Sequence, residues 1–258
     1  AEPAVFAASR DTPLRRLGWC SMSDRSVAGV DACPLGWFVT AIEAGTVSTD
    51  AYESFEEVRD RHAGVDLLLV DIPVGLPTDA RRRCDTRAKD RLGCRRSSVF
   101  YPPSESALRC EDYDTANATQ RDSIGNGLSK QAFNIGGTIR DVNTVVGDRY
   151  DGVVRESHPE LCFAALNGQP LAYSKSAERG QGFRLSLLSD ELDRAESVYR
   201  GVRDTYPLTD VGRDDILDSM VLAVAARDGG LTTVPTDPDR DEPRIYYPPF
   251  EVPTAPVR

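Results

Sequence analysis

The sequence predicts an α/β protein, a mixed five-stranded sheet flanked by helices with a helical insertion ahead of the last strand. Residues 26–31, 36–43 and 46–51 read as three successive strands joined by short turns, the pattern of an antiparallel meander. After one helix comes Asp66-Leu67-Leu68-Leu69-Val70-Asp71, apolar throughout, as expected of a parallel strand covered on both faces. Carboxylates follow these apolar runs: Asp31 after the first, Asp71 after the fourth, and Glu156 after Gly152-Val153-Val154-Arg155. Parallel strands ending this way would set their acids side by side at one sheet edge. Like charges repel there, so such a cluster persists mainly when a cation fills it.

The turn between the first two strands is rich in turn-formers, Ala32-Cys33-Pro34-Leu35-Gly36. Residues 54–61 form a short helix capped by Ser54, with Glu57 three positions on. Ile72-Pro73-Val74-Gly75-Leu76-Pro77 leaves the sheet as a rigid loop, and residues 79–92 follow as a basic helix. An insertion at about 96–150 carries helices near 104–121 and 128–142. A strand at 152–156, a helix at 160–166, one long helix over 183–205 and another over 213–227 complete the order. Gly229-Gly230 stops the last helix. Residues 244–247 are expected to add a short edge strand. Residues 25–250 form a single domain in this reading. Residues 1–24 are expected to be a disordered extension, with Met22 a natural start, and 251–258 a tail.

No stretch approaches the roughly 20 apolar residues that cross a bilayer, and no apolar signal core opens the chain, so a cytoplasmic protein with no membrane partner is expected. The net charge is −10, with only three lysines, Lys89, Lys130 and Lys175, among 31 basic residues. That balance resembles proteins of salt-loving, archaeal organisms, the favoured reading; a GC-rich genome favouring arginine codons is the alternative. The six cysteines include no C-x-x-C pair, which points to reduced thiols. Cys84, Cys94 and Cys110 with His62 match no compact zinc module.

Asp215 and Asp218 lie three apart on one face of the 213–227 helix, with Asp214 as a competitor. Asp214 and Asp215 also suit a first helical turn, where acids favour the dipole. Asp218 sits among Ile216, Leu217, Met220 and Val221, so it is harder to read as a surface residue. With Asp31 and Asp71, these acids point to a divalent-metal site and phosphodiester chemistry; their carboxylates should fall within about 8 Å of a common point. In Glu156-Ser157-His158-Pro159-Glu160, Glu156 could ligate a metal or orient water, and His158 could contact phosphate, act as a general acid or be structural. Glu160 reads as a helix opener. The basic run holds Arg81, Arg82, Arg83, Arg87, Lys89, Arg91, Arg95 and Arg96. It is either a solvated helix face or a phosphate-docking surface. Arg83, Arg87, Arg91, Lys130, His158 and Lys175 are the candidate substrate contacts.

Taken together, Gly29-Val30-Asp31-Ala32-Cys33-Pro34-Leu35-Gly36-Trp37, Asp71-Ile72-Pro73-Val74-Gly75-Leu76-Pro77, the segment from Arg83 to Phe100, Glu156-Ser157-His158-Pro159-Glu160, Asp214 to Asp218 and Ile245-Tyr246-Tyr247-Pro248 resemble domain-of-unknown-function family 429. The resemblance runs in order over about 26–250, with Ser219 where that family usually has alanine. It implies an RNase H-like fold and a predicted nuclease. In such folds the first strand, the fourth strand and the last helix bring acids to one end. That would gather Asp31, Asp71 and Asp215 or Asp218, with Glu156 nearby, around two Mg²⁺ or Mn²⁺ ions about 4 Å apart. Nucleic acid would be the partner. Two other readings stay open: a noncatalytic nucleic-acid-binding or scaffold module, and an actin-like phosphotransferase relative, for which 258 residues leave little room.

Overall fold

A computed structural model describes residues 25–147 and 149–251. The expected extension over 1–24, and the tail beyond Glu251, lie outside the described residues.

Strands β1 (Val27–Cys33), β2 (Gly36–Glu43) and β3 (Thr46–Tyr52) form the meander. Helix α1 (Phe55–Arg61) follows, its first turn capped by the Ser54 hydroxyl, which accepts from the Glu57 N–H at 3.3 Å. β4 (Leu67–Val70) then pairs parallel with β1. The basic segment is shorter than expected as helix: α2 is Arg83–Leu92, ending in a 3-10 turn over Gly93–Ser98. Among the described residues the insertion carries four helices in place of the one or two expected: α3 (Glu105–Leu108), α4 (Tyr113–Ile124), α5 (Lys130–Asn134) and α6 (Gly136–Val146). β5 (Val154–Glu156) pairs parallel with β4. The sheet order is β3-β2-β1-β4-β5, mixed as expected and consistent with an RNase H-like fold.

Helices α7 (Pro159–Asn167), α8 (Glu178–Glu191), α9 (Ala195–Thr205) and α10 (Arg213–Asp228) come next. The single long helix expected over 183–205 is two, broken where Arg194 turns left-handed at φ 67°. Unbroken, residues 178–205 would run about 42 Å at 1.5 Å per residue, in one direction. The break lets Leu188 and Leu192 on one side and Ala195 and Val202 on the other stay buried. The edge strand expected near 244–247 is β7 (Ile245–Tyr247). It pairs with β6 (Thr232–Val234) in a separate two-stranded sheet and touches the main sheet through the Ser157–Tyr246 bridge.

Alternation along the strands splits the core in two. Val27, Phe38, Ile42, Leu67 and Leu69 pack toward α7, α8 and α10. Ala28, Val30, Trp37, Val39, Leu68 and Val70 pack toward α1 and α6 on the other face. α10 is buried from Ile216 to Ala226, as a helix hydrophobic on nearly every side should be. It lies directly on β1. A Cβ on Gly29 would come within 2.1 Å of the Ser219 carbonyl oxygen and 2.3 Å of the Ala223 nitrogen, so only glycine permits this approach. The Ser219 hydroxyl meets Thr40 Oγ1 at 2.8 Å and ties the helix to β2. The insertion is tied in as well. The Asp141 carboxylate accepts from Trp37 Nε1 at 2.7 Å and from the Phe55 N–H at 2.8 Å.

Candidate metal centre

Three of the sequence-selected acids meet at one end of the sheet. Asp31 comes from β1, Asp71 from the residue after β4, and Asp218 from the second turn of α10. One carboxylate oxygen from each lies within 4.8 Å of the other two, well inside the span expected from sequence. Asp31 and Asp218 are 7% and 2% exposed, and Asp71 is half-buried. The Asp71 N–H donates to the Val30 carbonyl at 3.0 Å, so the β1–β4 ladder itself holds the two strand acids together.

The electrostatics are those of crowded anions. Burial, and then the charges of Asp71 and Asp218, hold the Asp31 carboxyl well above its usual range. Asp71 is raised by burial against the pull of His158 and Lys175. Asp218 is pushed up to about 7, again by burial first, with Lys175 opposing. The Lys175 ammonium donates to Asp218 Oδ2 at 2.8 Å and lies 3.4 Å from Asp214, and Asp218 above all holds it charged. The loop bearing Lys175 is itself pinned. Gly180, in the first turn of α8, lets that helix press on the loop; a Cβ there would sit 1.9 Å from the Ser174 carbonyl oxygen. The buried Arg184 guanidinium donates to the Tyr173 and Gly180 carbonyls at 3.3 and 3.1 Å.

Asp215 stays outside the trio. Its Oδ2 accepts from the Gly212 N–H at 2.8 Å, closing the N-terminus of α10, and burial raises its carboxyl. A first-turn acid is expected to favour the helix dipole; Asp215 does so and also supplies the N3 half of a capping box.

Glu156 belongs to a second cluster. Arg82, 5% exposed, grips it with two bonds of 2.8 and 2.7 Å and grips Asp85 with two more of 3.0 and 2.5 Å. Arg82 also donates to the Val74 and Gly75 carbonyls, and the Val74 N–H donates to Glu156 at 2.7 Å. Burial pushes the Glu156 carboxyl up to about 7 against the opposing pull of Arg82. Cys84, Asp85 and Glu156 also come within 4.8 Å of one another, but the guanidinium fills that cluster. The knot fixes the loop that follows Asp71. Sequence reasoning saw Arg82 as one of a basic run; its spacing to Asp85, i to i+3, was the available signal.

His158 caps α7. Its Nδ1 accepts from the Glu160 N–H at 3.2 Å, which leaves Nε2 as the protonated nitrogen of the neutral ring. Glu160, 3% exposed, is bound by Arg184 and by Arg95 at 3.2 Å, a pairing that its reading as a helix opener missed.

The basic run is largely used internally. Arg91 donates to the Phe250 carbonyl and lies 4.7 Å over the Phe250 ring. Arg83 pairs with Glu242 at 3.2 Å and with Asp237 at 3.5 Å. Arg81 and Lys89 stack on Tyr101. Arg87 is exposed and reaches Asp90 at only 3.9 Å. Lys130 lies over Tyr113 in the insertion, apart from the trio. The trio, Glu156, His158, Glu160 and Lys175 all face one cleft of about 510 Å³, with Ser97, Ser98, Ser174 and Ser176 on its walls. The donor set of the trio, hard carboxylate oxygens at close range, suits a hard divalent cation. Cys94 and Cys110 join no such cluster among the described residues. No described helix is long and apolar enough to cross a membrane.

A family model described as "Protein of unknown function (DUF429)" matches residues 29–240. No curated protein and no solved structure matches the chain.

Proposed function

The chain belongs to the DUF429 family, and from that premise and the acid trio we propose that it is a divalent-metal-dependent nuclease hydrolysing phosphodiester bonds of nucleic acid. The convergence of Asp31, Asp71 and Asp218 within 4.8 Å carries the reading. Three buried or half-buried carboxyls with raised pKa values are costly to ionise in the absence of a cation. Mg²⁺ or Mn²⁺ held there would supply Lewis acidity to the phosphodiester and make water a better nucleophile at neutral pH.

The chain's own residues have separate tasks in this reading. Asp31, Asp71 and Asp218 hold the cation. The Arg82–Glu156 pair keeps the 72–77 loop, and with it Asp71, in register. His158 donates a hydrogen bond from Nε2 to a phosphate oxygen. The serines of the cleft wall and the exposed Arg87 contact phosphate. Arg83 and Arg91 are engaged by the chain itself, and Lys130 and Asp215 stand outside the chemistry.

The test is a hydrolysis screen over labelled single-stranded, double-stranded and branched DNA and RNA, with Mg²⁺ or Mn²⁺ and at high salt. Activity should fall by at least about a hundredfold in Asp31→Asn and in Asp218→Asn, because one ligand charge is lost from the site. An ion-loaded protein that cleaves none of these substrates would leave the noncatalytic module as the better reading.

A further inference from the structure

We propose that the trio takes one divalent ion, and that the Lys175 ammonium stands as the second cation of the site in place of the second ion expected from sequence. This rests on the metal-dependent reading above and specifies how its charge is balanced.

The charge count comes first. Three carboxylates and one ammonium 2.8 Å from Asp218 leave two negative charges, the charge of a single divalent ion. The other acids on the cleft are already engaged, Asp214 by the same Lys175 ammonium at 3.4 Å. Glu156 is neutralised by Arg82, Glu160 by Arg184 and Arg95, and Asp215 is bound to the Gly212 N–H. Oxygen supply points the same way. Asp31 Oδ1 already accepts from the Ala32 N–H at 2.8 Å, and Asp218 Oδ2 from Lys175. What remains of the trio suits one small ion completed by water and substrate oxygens, the usual habit of Mg²⁺. Two ions would need bridging and terminal ligands on both sides.

Lys175 is also built into its place. A lysine that had merely drifted onto an acidic cluster would sit on an unsupported loop. This loop is pressed by Gly180 of α8, and Arg184, 1% exposed, donates to Tyr173 on one side and Gly180 on the other. The side chain of Lys175 remains 40% exposed, so its ammonium can meet Asp218 and a substrate oxygen together. An ammonium there does what a second ion would do for a phosphodiester: it offers positive charge and N–H donors to oxygens that gain charge in the transition state.

Mn²⁺ titration of the full chain, followed by calorimetry and by electron paramagnetic resonance, tests the proposal. Wild type should bind one Mn²⁺ per chain and show the spectrum of an isolated ion. Lys175→Ala should admit a second ion near the first, seen as an exchange-coupled Mn²⁺ pair, and should lose at least about tenfold in turnover at saturating Mg²⁺. Lys175→Arg, which keeps the charge, should keep the single-ion stoichiometry. A coupled pair in wild type would overturn the proposal and leave the nuclease reading intact. So would a Lys175→Ala protein that binds one ion more tightly and turns over undiminished, which would make Lys175 a competitor for the ion. Absence of Mn²⁺ binding in wild type would overturn both.

Discussion

Two carboxylate clusters face the same cleft, and they are electrical opposites. Around Arg82, two buried acids share one guanidinium whose three nitrogens all donate, to Asp85, to Glu156 and to two backbone carbonyls. Around Asp31, Asp71 and Asp218, three acids share a single lysine hydrogen bond. Asp85 and Glu156 lie as close to their neighbours as the trio does, so proximity does not separate the two. Compensation does. A buried ion pair with its hydrogen bonds filled holds a loop, whereas a cluster short of positive charge favours a cation.

Breaking the compensated cluster should have the largest effect on stability. Arg82→Met strands Asp85 and Glu156 as buried charges, at a cost of about 3–5 kcal/mol. In a domain of this size that lowers Tm by roughly 10 °C, read by calorimetry. Replacing all three with apolar residues, Arg82→Met with Asp85→Leu and Glu156→Leu, should recover much of the loss. A triple variant no more stable than the single would show that the knot's backbone contacts dominate.

The trio should respond in the opposite sense. Asp218→Asn should weaken Mn²⁺ binding by at least about a hundredfold, since a ligand charge is gone. The same change should stabilise the metal-free protein by roughly 1–2 kcal/mol at pH 8. The pH dependence follows from the raised carboxyl. Its stabilising contribution is fully present below the ordinary value of 3.8 and is lost as pH rises through about 7. The advantage of Asp218→Asn over wild type should therefore grow from pH 4 to pH 8 in metal-free denaturant titrations, and wild-type Mn²⁺ affinity should climb over the same range as ligand protons leave. A metal-free variant less stable than wild type at pH 8 would make Asp218 a structural partner of Lys175, much as Glu156 is of Arg82.

Smaller effects sort the basic run. Arg91→Gln removes the bond to Phe250 and the stacking on its ring, and should cost about 1 kcal/mol of stability. Arg87→Gln should leave stability within about 0.5 kcal/mol. It should flatten the salt dependence of nucleic-acid binding by about one unit of slope at low salt. Equal binding losses from the two variants would show that this helix docks the polyanion with more of its surface than its internal contacts suggest.

How much of this was legible in the chain depends on the range of each interaction. The meander, the buried fourth strand and α10 announce themselves through period, apolar runs and the Gly229 stop. The three acids could be placed because each sits at a defined point on an element whose type was clear. Arg82 could not be so placed. Its burial depends on Glu156, 74 residues away, and in sequence it looks like any member of a solvated arginine run. Glu160 and Arg184 were hidden in the same way, as was the division of labour between Asp215 and Asp218, which turns on one capping bond. β6 is three residues long, too short for alternation to register, and the break at Arg194 reflects what two helices can cover rather than any local stop signal.

The contact at Gly29 reaches further than packing. Gly29 and Asp31 stand two apart on β1 and so share a face, the one that meets α10. With backbone against backbone, the gap between Asp31 and Asp218 is fixed by atoms that cannot change rotamer. We expect ion size to be read there: Mg²⁺ needs oxygens at about 2.0–2.1 Å, Ca²⁺ at about 2.3–2.6 Å. A single methyl at position 29 would wedge the helix outward, so Gly29→Ala should shift the ratio of Mg²⁺ to Ca²⁺ affinity toward the larger ion. An unchanged ratio in a folded variant would place selectivity in the loops instead. On this account the protein's choice of element is made by a residue with no side chain, at a point the ion never touches.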